Sequence, residues 1–494
     1  MPCTTILVGK KASYDGSTIV ARNEDAPGGK FEPKRFVARE APKAGDIYRS
    51  VISHLEIELP EGGVRYTAMP NADLREGLWE AAGFNARNVG MSATETLTSN
   101  ERVLAADPLV EYRAACGAEG ESGYQPEILG GIGEEDMVTL VLPYATSARD
   151  GVERLGALLE RYGTYEMNGI AFSDADEIWW LETVGGHHWI ARRVPDDSYV
   201  TMPNQLGIDD FDLTDAFGEK ADHLCSADLR EWMDANHLDL TVGVKGGHFN
   251  PRDAFGSRSD ADHVYNTPRA WDMQRFLSPH AGPWETAAPG ADFGPESDSI
   301  PWSREPERKV TIEDVKYVLS LHYQGTPYDP YGNGPSGARG IYRPIGINRN
   351  CQLAVLQLRP HVDASRAALQ WVSLGSNVFN ALVPFYANVT ETPAYLADTA
   401  TRVTTDSFYW ANRLVAALAD AAYAACLPHV ERYQERLASR CAAMVLSCDA
   451  KGGDLASCNQ AIADECRRET DDLLDKVLYE ASMRMRNGFS RSDN

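Results

Sequence analysis

Cys3 opens the run Cys3-Thr4-Thr5-Ile6-Leu7-Val8-Gly9, and loss of Met1 and Pro2 alone would make it the first residue. A cysteine in that position carries a nucleophilic thiol and a free α-amine together. The amine, with an ordinary pKa of about 8 that burial readily lowers, can act as the general base for the thiol. The plain alternative is a small buried residue near the terminus. Arg22-Asn23-Glu24-Asp25 adds the chemistry such a thiol needs. Arg22 can favour the thiolate by its charge, and Asp25 can accept a hydrogen bond from the α-ammonium and orient it. As a surface ion pair the same two residues would contribute at most about 1 kcal/mol.

Amide hydrolysis also requires donors for a developing oxyanion and a pocket that grips the substrate. Asn204, in Val200-Thr201-Met202-Pro203-Asn204-Gln205, follows a predicted strand. Its side-chain amide can donate to an oxyanion, an interaction worth about 3 kcal/mol in comparable sites. Taken alone, an Asn after Pro is more often a turn residue. Arg269, in Tyr265-Asn266-Thr267-Pro268-Arg269, is a second candidate cation or a helix-start residue.

The elements that must position these groups begin with Thr4 to Val8, the turn Tyr14-Asp15-Gly16-Ser17 and Thr18 to Ala21. Together they form a predicted hairpin that returns Arg22 to Asp25 to the side of Cys3. Arg22 and Asp25 do not share a strand face, so both can reach Cys3 only across a bend or bulge. Further strands are predicted at Val89 to Ala93, Gly169 to Ser173, Glu177 to Glu182, His188 to Val194, Leu353 to Leu358 and Ala368 to Leu374. Asp150 to Tyr162 carries a helical stripe at Val152, Leu155, Leu158 and Leu159, and a second helix is expected near Ile312 to Leu321. Residues 280–305 read as a long exposed loop rich in Pro, Gly, Ser and Asp. From about Ala397 the chain turns strongly helical, so the pattern is α+β, with helices covering sheet faces.

The chain has 494 residues, 43% of them hydrophobic, with a formal net charge of -25. That is ample for a large core, and the charge repels phosphate backbones, so no nucleic-acid partner is expected. The longest apolar runs, such as Met137 to Leu142, are strand length, and no membrane segment or secretory signal is expected. Nine cysteines without a compact framework suit a reducing cytoplasm. Cys441, Cys448, Cys458 and Cys466 lack zinc spacing and read as buried helix positions. Gly332-Asn333-Gly334-Pro335-Ser336-Gly337 lacks a preceding apolar strand and reads as a flexible loop. His187, His188 and His248 show no metal-binding pattern, no Gly-x-Ser-x-Gly supports a serine nucleophile, and no cofactor or metal is expected. Trp179, Trp180 and Trp189 read as packing a core or an interface rather than stacking on ligands.

Cys3 to Ser13, Asp15-Gly16-Ser17 and Ala21-Arg22-Asn23-Glu24-Asp25 resemble the dipeptidase A family of N-terminal-nucleophile cysteine peptidases. More distantly the chain is similar to penicillin V acylases and conjugated bile acid hydrolases. The resemblance runs from Cys3 to the C-terminal helices. It implies a four-layer αββα Ntn-hydrolase sandwich over 3–396, with loop insertions and a helical region 397–494 packed on it. It also implies hydrolysis of dipeptides of broad specificity through a thioester on Cys3; a cytoplasmic location and a homo-oligomer are expected besides. The family pattern falls on Cys3, Arg22, Asp25 and Asn204, with its later arginine on Arg269.

Gly83-Phe84-Asn85 through Gly90-Met91 resembles the acylases' approach to another oxyanion position, near Thr94 and Glu95. Where the acylases carry Asn or Tyr, Glu95 stands. A carboxylate cannot stabilise an oxyanion, so the expected donor there is a backbone N–H, with Glu95 gripping the substrate's α-ammonium. Pro2 is a second departure, because loss of Met1 alone leaves the amine of Cys3 blocked. Two other readings stay open: an N-acyl-amide hydrolase, and a non-enzymatic scaffold resembling the secernins.

Overall fold

The computed structural model describes residues 3–486, apart from 29, 242–246, 282–283, 285–292 and 336. Strands β1 (Cys3–Val8) and β2 (Thr18–Asp25) form the antiparallel hairpin expected from the sequence, with Thr5 opposite Arg22 and Cys3 opposite Glu24. Every residue of both strands is buried. Each polar side chain along them must therefore find a partner inside the protein.

The hairpin lies inside a seven-stranded sheet. The spatial order is Ser303–Arg304, Tyr199–Met202, β1, β2, Asn350–Leu358, Ala368–Leu374 and Val383–Tyr386. A six-stranded sheet runs His223–Cys225, Trp189–Arg193, Ile178–Thr183, Asn168–Ser173, Gly90–Thr96 and Ala82–Phe84. All pairings in both sheets are antiparallel. β1 packs on Gly90–Thr96, and β2 packs on both Gly90–Thr96 and Asn168–Ser173.

The helix Ala148–Tyr162 lies against Asn168–Ser173, Ile178–Thr183 and Trp189–Arg193, burying Val152, Leu155 and Leu159. The side chain of Ser147 caps it, and Gly163, at a φ of 69°, ends it. The helices Phe408–Ala421, Tyr423–Lys451 and Leu455–Ser482 cover Ala368–Leu374 and Val383–Tyr386. The architecture is α+β.

Three expectations change. The apolar run from Met137 belongs to the helix Glu134–Val141. Glu134, Glu135 and Asp136 fill its first turn, and Asp136 accepts from the Gly133 N–H at 2.9 Å. A run this short has no decisive period, so the acidic N-terminal turn determines its structure. Cys448 and Cys458 form a disulfide. Gly452, in the left-handed region, reverses the chain between two long helices and brings their ends, and these two cysteines, together. Cys441 and Cys466 are free and buried. The segment 280–305 contributes the edge strand Ser303–Arg304 and the fully buried Trp302, while 282–283 and 285–292 lie outside the described residues. So does Ser336 in the glycine-rich loop. Trp179, Trp180 and Trp189 are buried.

Gly83 is the tightest backbone approach: a Cβ there would stand 1.7 Å from the carbonyl oxygen of Thr67. Gly83→Ala should lose about 3 kcal/mol of stability by overpacking. The expected signature in urea is a lower midpoint at unchanged slope, and an unaltered midpoint would refute it.

Candidate active site

Cys3 heads β1 with its side chain turned to the second sheet, as Thr5 and Arg22 are. Arg22 Nη1 donates to Cys3 Sγ at 3.1 Å. The rest of the guanidinium is held by that sheet: Nη1 also donates to Thr94 O at 2.8 Å, and Nε to Ser92 Oγ at 3.0 Å. Nη2 donates to Ala93 O at 2.7 Å and Ala81 O at 3.2 Å. An arginine has five N–H donors, and all five are engaged. Glu134 Oε1 lies 3.5 Å from Nη1, and Glu24 Oε2 lies 3.7 Å from Nη2. Glu24 in turn pairs with buried Lys34 at 2.5 Å.

Asn204 follows the strand Tyr199–Met202, which flanks β1 on its other edge. Its Oδ1 accepts the N–H of Cys3 at 3.3 Å and Arg269 Nη2 at 2.7 Å, and its Nδ2 donates to Thr96 O at 3.0 Å. Arg269 sits in the first turn of the helix Thr267–Leu277 and is wholly buried. It donates to Cys3 O, Thr4 Oγ1 (2.6 Å), Asn266 Oδ1 (2.9 Å) and Tyr265 O (2.7 Å). Its five donors are also engaged. Glu95 accepts from Thr5 Oγ1 at 2.7 Å through Oε2, while buried Oε1 has no hydrogen-bond partner among the described residues.

Cys3, Arg22, Asn204, Arg269 and Glu95 thus gather in one cluster. Asp25 lies beside it with partners of its own, accepting from Arg343 Nη2 and Asn350 Nδ2. The strand Asn350–Leu358 shifts register between Asn350 and Gln352, opposite Asp25 and Glu24. That irregularity lies on the neighbouring strand. Along β2, Arg22 turns to the second sheet, while Asp25 accepts from Arg343 and Asn350.

Burial dominates the electrostatics. It pushes the Cys3 thiol well above its ordinary value, against the opposing pull of Arg22; Glu95 and Glu134 push the same way as burial. Arg22 does favour the thiolate, as the sequence suggests, but is outweighed. The Arg22 charge is itself disfavoured by burial, yet Cys3, Glu134, Glu24 and Glu95 together hold its pKa above the ordinary value. Burial and nearby Arg343 bring Arg269 down to about 10. Burial lifts Glu95 to about 8, against the pull of Arg269, the Thr5 hydroxyl and Arg22.

Sequence reasoning missed Glu134, Ser92, Lys34 and Arg343. Glu134 was findable: an acidic triplet after Gly133 signals a helix start. Lys34 and Ser92 carry no local signal. Among the described residues, no group of three His, Cys, Asp or Glu side chains is placed to hold a metal, and no helix is long and apolar enough to cross a membrane. A cavity of about 450 Å³ between Ile312–Val318 and Tyr423–Lys451 contains none of the cluster residues.

The raised Glu95 pKa has a consequence for stability. The folded protein keeps this proton up to about pH 8, while an unfolded Glu releases it near pH 4.3. The folded state therefore binds more protons in that window, and this group's contribution to stability falls as pH rises through it. Glu95→Gln removes the effect. The melting temperature of the variant minus that of the parent should increase from pH 5 to pH 8, and a flat difference would refute the assignment.

The model of peptidase family C69 matches residues 2–436. A dipeptidase of Bifidobacterium longum is 57% identical over 541 aligned positions, with the whole of both chains covered. A probable dipeptidase A of Streptococcus pyogenes serotype M3 is 51% identical, again over the whole of both chains. Dipeptidase A of Lactobacillus helveticus is 41% identical over 97% of this chain and 96% of its own. The chain belongs to peptidase family C69.

Proposed function

We propose that the chain is a dipeptidase of broad specificity whose nucleophile is Cys3, uncovered by removal of Met1 and Pro2. One observation carries this above all. The thiol of Cys3 meets Arg22 Nη1 at 3.1 Å while the nitrogen of the same residue meets Asn204 Oδ1 at 3.3 Å. A nucleophile and its base on one residue need such separate anchors. The names of the full-length relatives support peptides as substrates. Two large sheets in contact, with helices against the far side of each, support a four-layer αββα sandwich of the N-terminal-nucleophile type, with 3–396 as the catalytic unit and 397–494 as a helical addition.

The freed α-amine takes the thiol proton, and Sγ attacks the scissile carbonyl carbon. The oxyanion receives the second N–H of Asn204 Nδ2, whose first is committed to Thr96 O, together with a backbone N–H near Thr94 and Glu95. The ammonium then returns its proton to the leaving nitrogen, the C–N bond breaks, and a thioester remains on Cys3. Water, deprotonated by the same amine, releases the acid and restores the thiol. Arg22 steadies the sulfur's charge, Arg269 fixes the Cys3 carbonyl and Asn204, and Asp25 orients the amine. Glu95 offers its open oxygen to the substrate's ammonium, a cation that would favour its ionised form. That preference for a charged substrate favours a dipeptidase over an N-acyl-amide hydrolase. Seven free cysteines among the described residues fit a reducing cytoplasm, with Cys448–Cys458 the exception. A homo-oligomer is the proposed assembly.

Cys3→Ala should lower dipeptide turnover by at least about 10⁴-fold with the fold retained by circular dichroism. The assay is a dipeptide panel with a chelator present, and full activity in the variant would end the proposal. Met1 and Pro2 lie outside the described residues, so their removal is tested by intact mass. Active protein should lack both residues, and retained Pro2 would contradict the free-amine mechanism.

A further inference from the structure

Two buried arginines touch Cys3 and a third, Arg343, is buried against Asp25 beside them; the three differ in how their donors are used. Arg22 and Arg269 have all five N–H groups engaged by the protein. Arg343 does not. Its Nη2 donates to Asp25 and the Tyr265 hydroxyl favours its charged form, while Nε and Nη1 are buried with no acceptor within hydrogen-bond distance among the described residues. The residue is 7% exposed. It is also firmly held. The Arg343 N–H donates to Val264 O at 3.1 Å, Tyr323 Oη donates to the Arg343 carbonyl at 2.8 Å, and the guanidinium lies 4.8 Å from the Tyr265 ring centre.

A counter-ion for Asp25 alone would need only one side of the guanidinium. Two buried donors without acceptors are unfavourable unless something completes them. Across the same cluster, Glu95 holds a buried oxygen that is also without a partner. The open groups are of opposite sign, and both act electrostatically on Arg269. A dipeptide is a zwitterion with a cation at one end and a carboxylate at the other.

We propose that Arg343 is a specificity residue that receives the free C-terminal carboxylate of the substrate, while Asp25 and Tyr265 hold the rest of its guanidinium in place. The assignment rests on the dipeptidase reading above and sharpens it: the site selects peptides with a free C-terminus one residue beyond the scissile bond. Arginine suits this role because its planar fork matches a carboxylate.

The test compares kcat/KM for alanyl-leucine and alanyl-leucinamide in the parent, Arg343→Lys and Arg343→Gln. Both substrates use the same catalytic groups, so damage relayed through Asp25 cancels in the ratio. The parent should favour the free carboxylate by about tenfold to hundredfold, mainly through KM. Arg343→Gln should lose that preference, and Arg343→Lys, which keeps a cation beside Asp25, should retain part of it. Equal turnover of the two substrates by the parent overturns the inference without any variant, as does a preference that survives in Arg343→Gln. Failure of the parent to cleave either substrate overturns the dipeptidase reading and this inference with it.

Discussion

Leaving a buried guanidinium N–H without an acceptor is unfavourable, and Arg22 avoids this by spanning two sheets. It rises from β2, touches the sulfur of Cys3 on β1, and spends its other donors on Ser92 and on the carbonyls of Ala81, Ala93 and Thr94. The hairpin of the first sheet is thereby tied to the strands of the second at the point where the nucleophile sits. Moving either sheet would orphan buried donors, an unfavourable outcome of about 1–3 kcal/mol for each. The position of Cys3 is therefore a property of the sheet–sheet interface as much as of its own strand.

Around that link four cations, Arg22, Lys34, Arg269 and Arg343, are buried with four carboxyl groups, Glu24, Asp25, Glu95 and Glu134. Burial lifts Glu95 to about 8, which lessens its negative charge beside the sulfur at neutral pH. Arg22 opposes, without cancelling, the burial that keeps the thiol protonated.

The hairpin was legible because its turn residues and apolar runs are local, and its register brings Arg22 opposite Thr5 as period-two pairing demands. The long amphipathic helix at Ala148–Tyr162 and the C-terminal helices were legible for the same reason. The helix at Glu134–Val141 was not, because eight residues buried on all sides carry no stripe. The Cys448–Cys458 bond was not either, because it depends on how two helices fold back about Gly452.

By itself the sequence determined which chemistry was available: a cysteine two residues from the start, Arg22 and Asp25 brought back by a short turn, and Asn204 and Arg269 as candidate partners. These are statements about residue type and short-range geometry, which the backbone's few allowed conformations make readable. Only the tertiary structure decided how the charges are shared. It sends Arg22 to the sulfur and Asp25 to Arg343, sets Glu95 against Thr5, and leaves Arg343 with open donors although nothing near it in the chain sets it apart. Those pairings join residues up to 318 positions apart. They depend on which buried donors and acceptors remain once two sheets and their helices have packed, and no local pattern records that remainder.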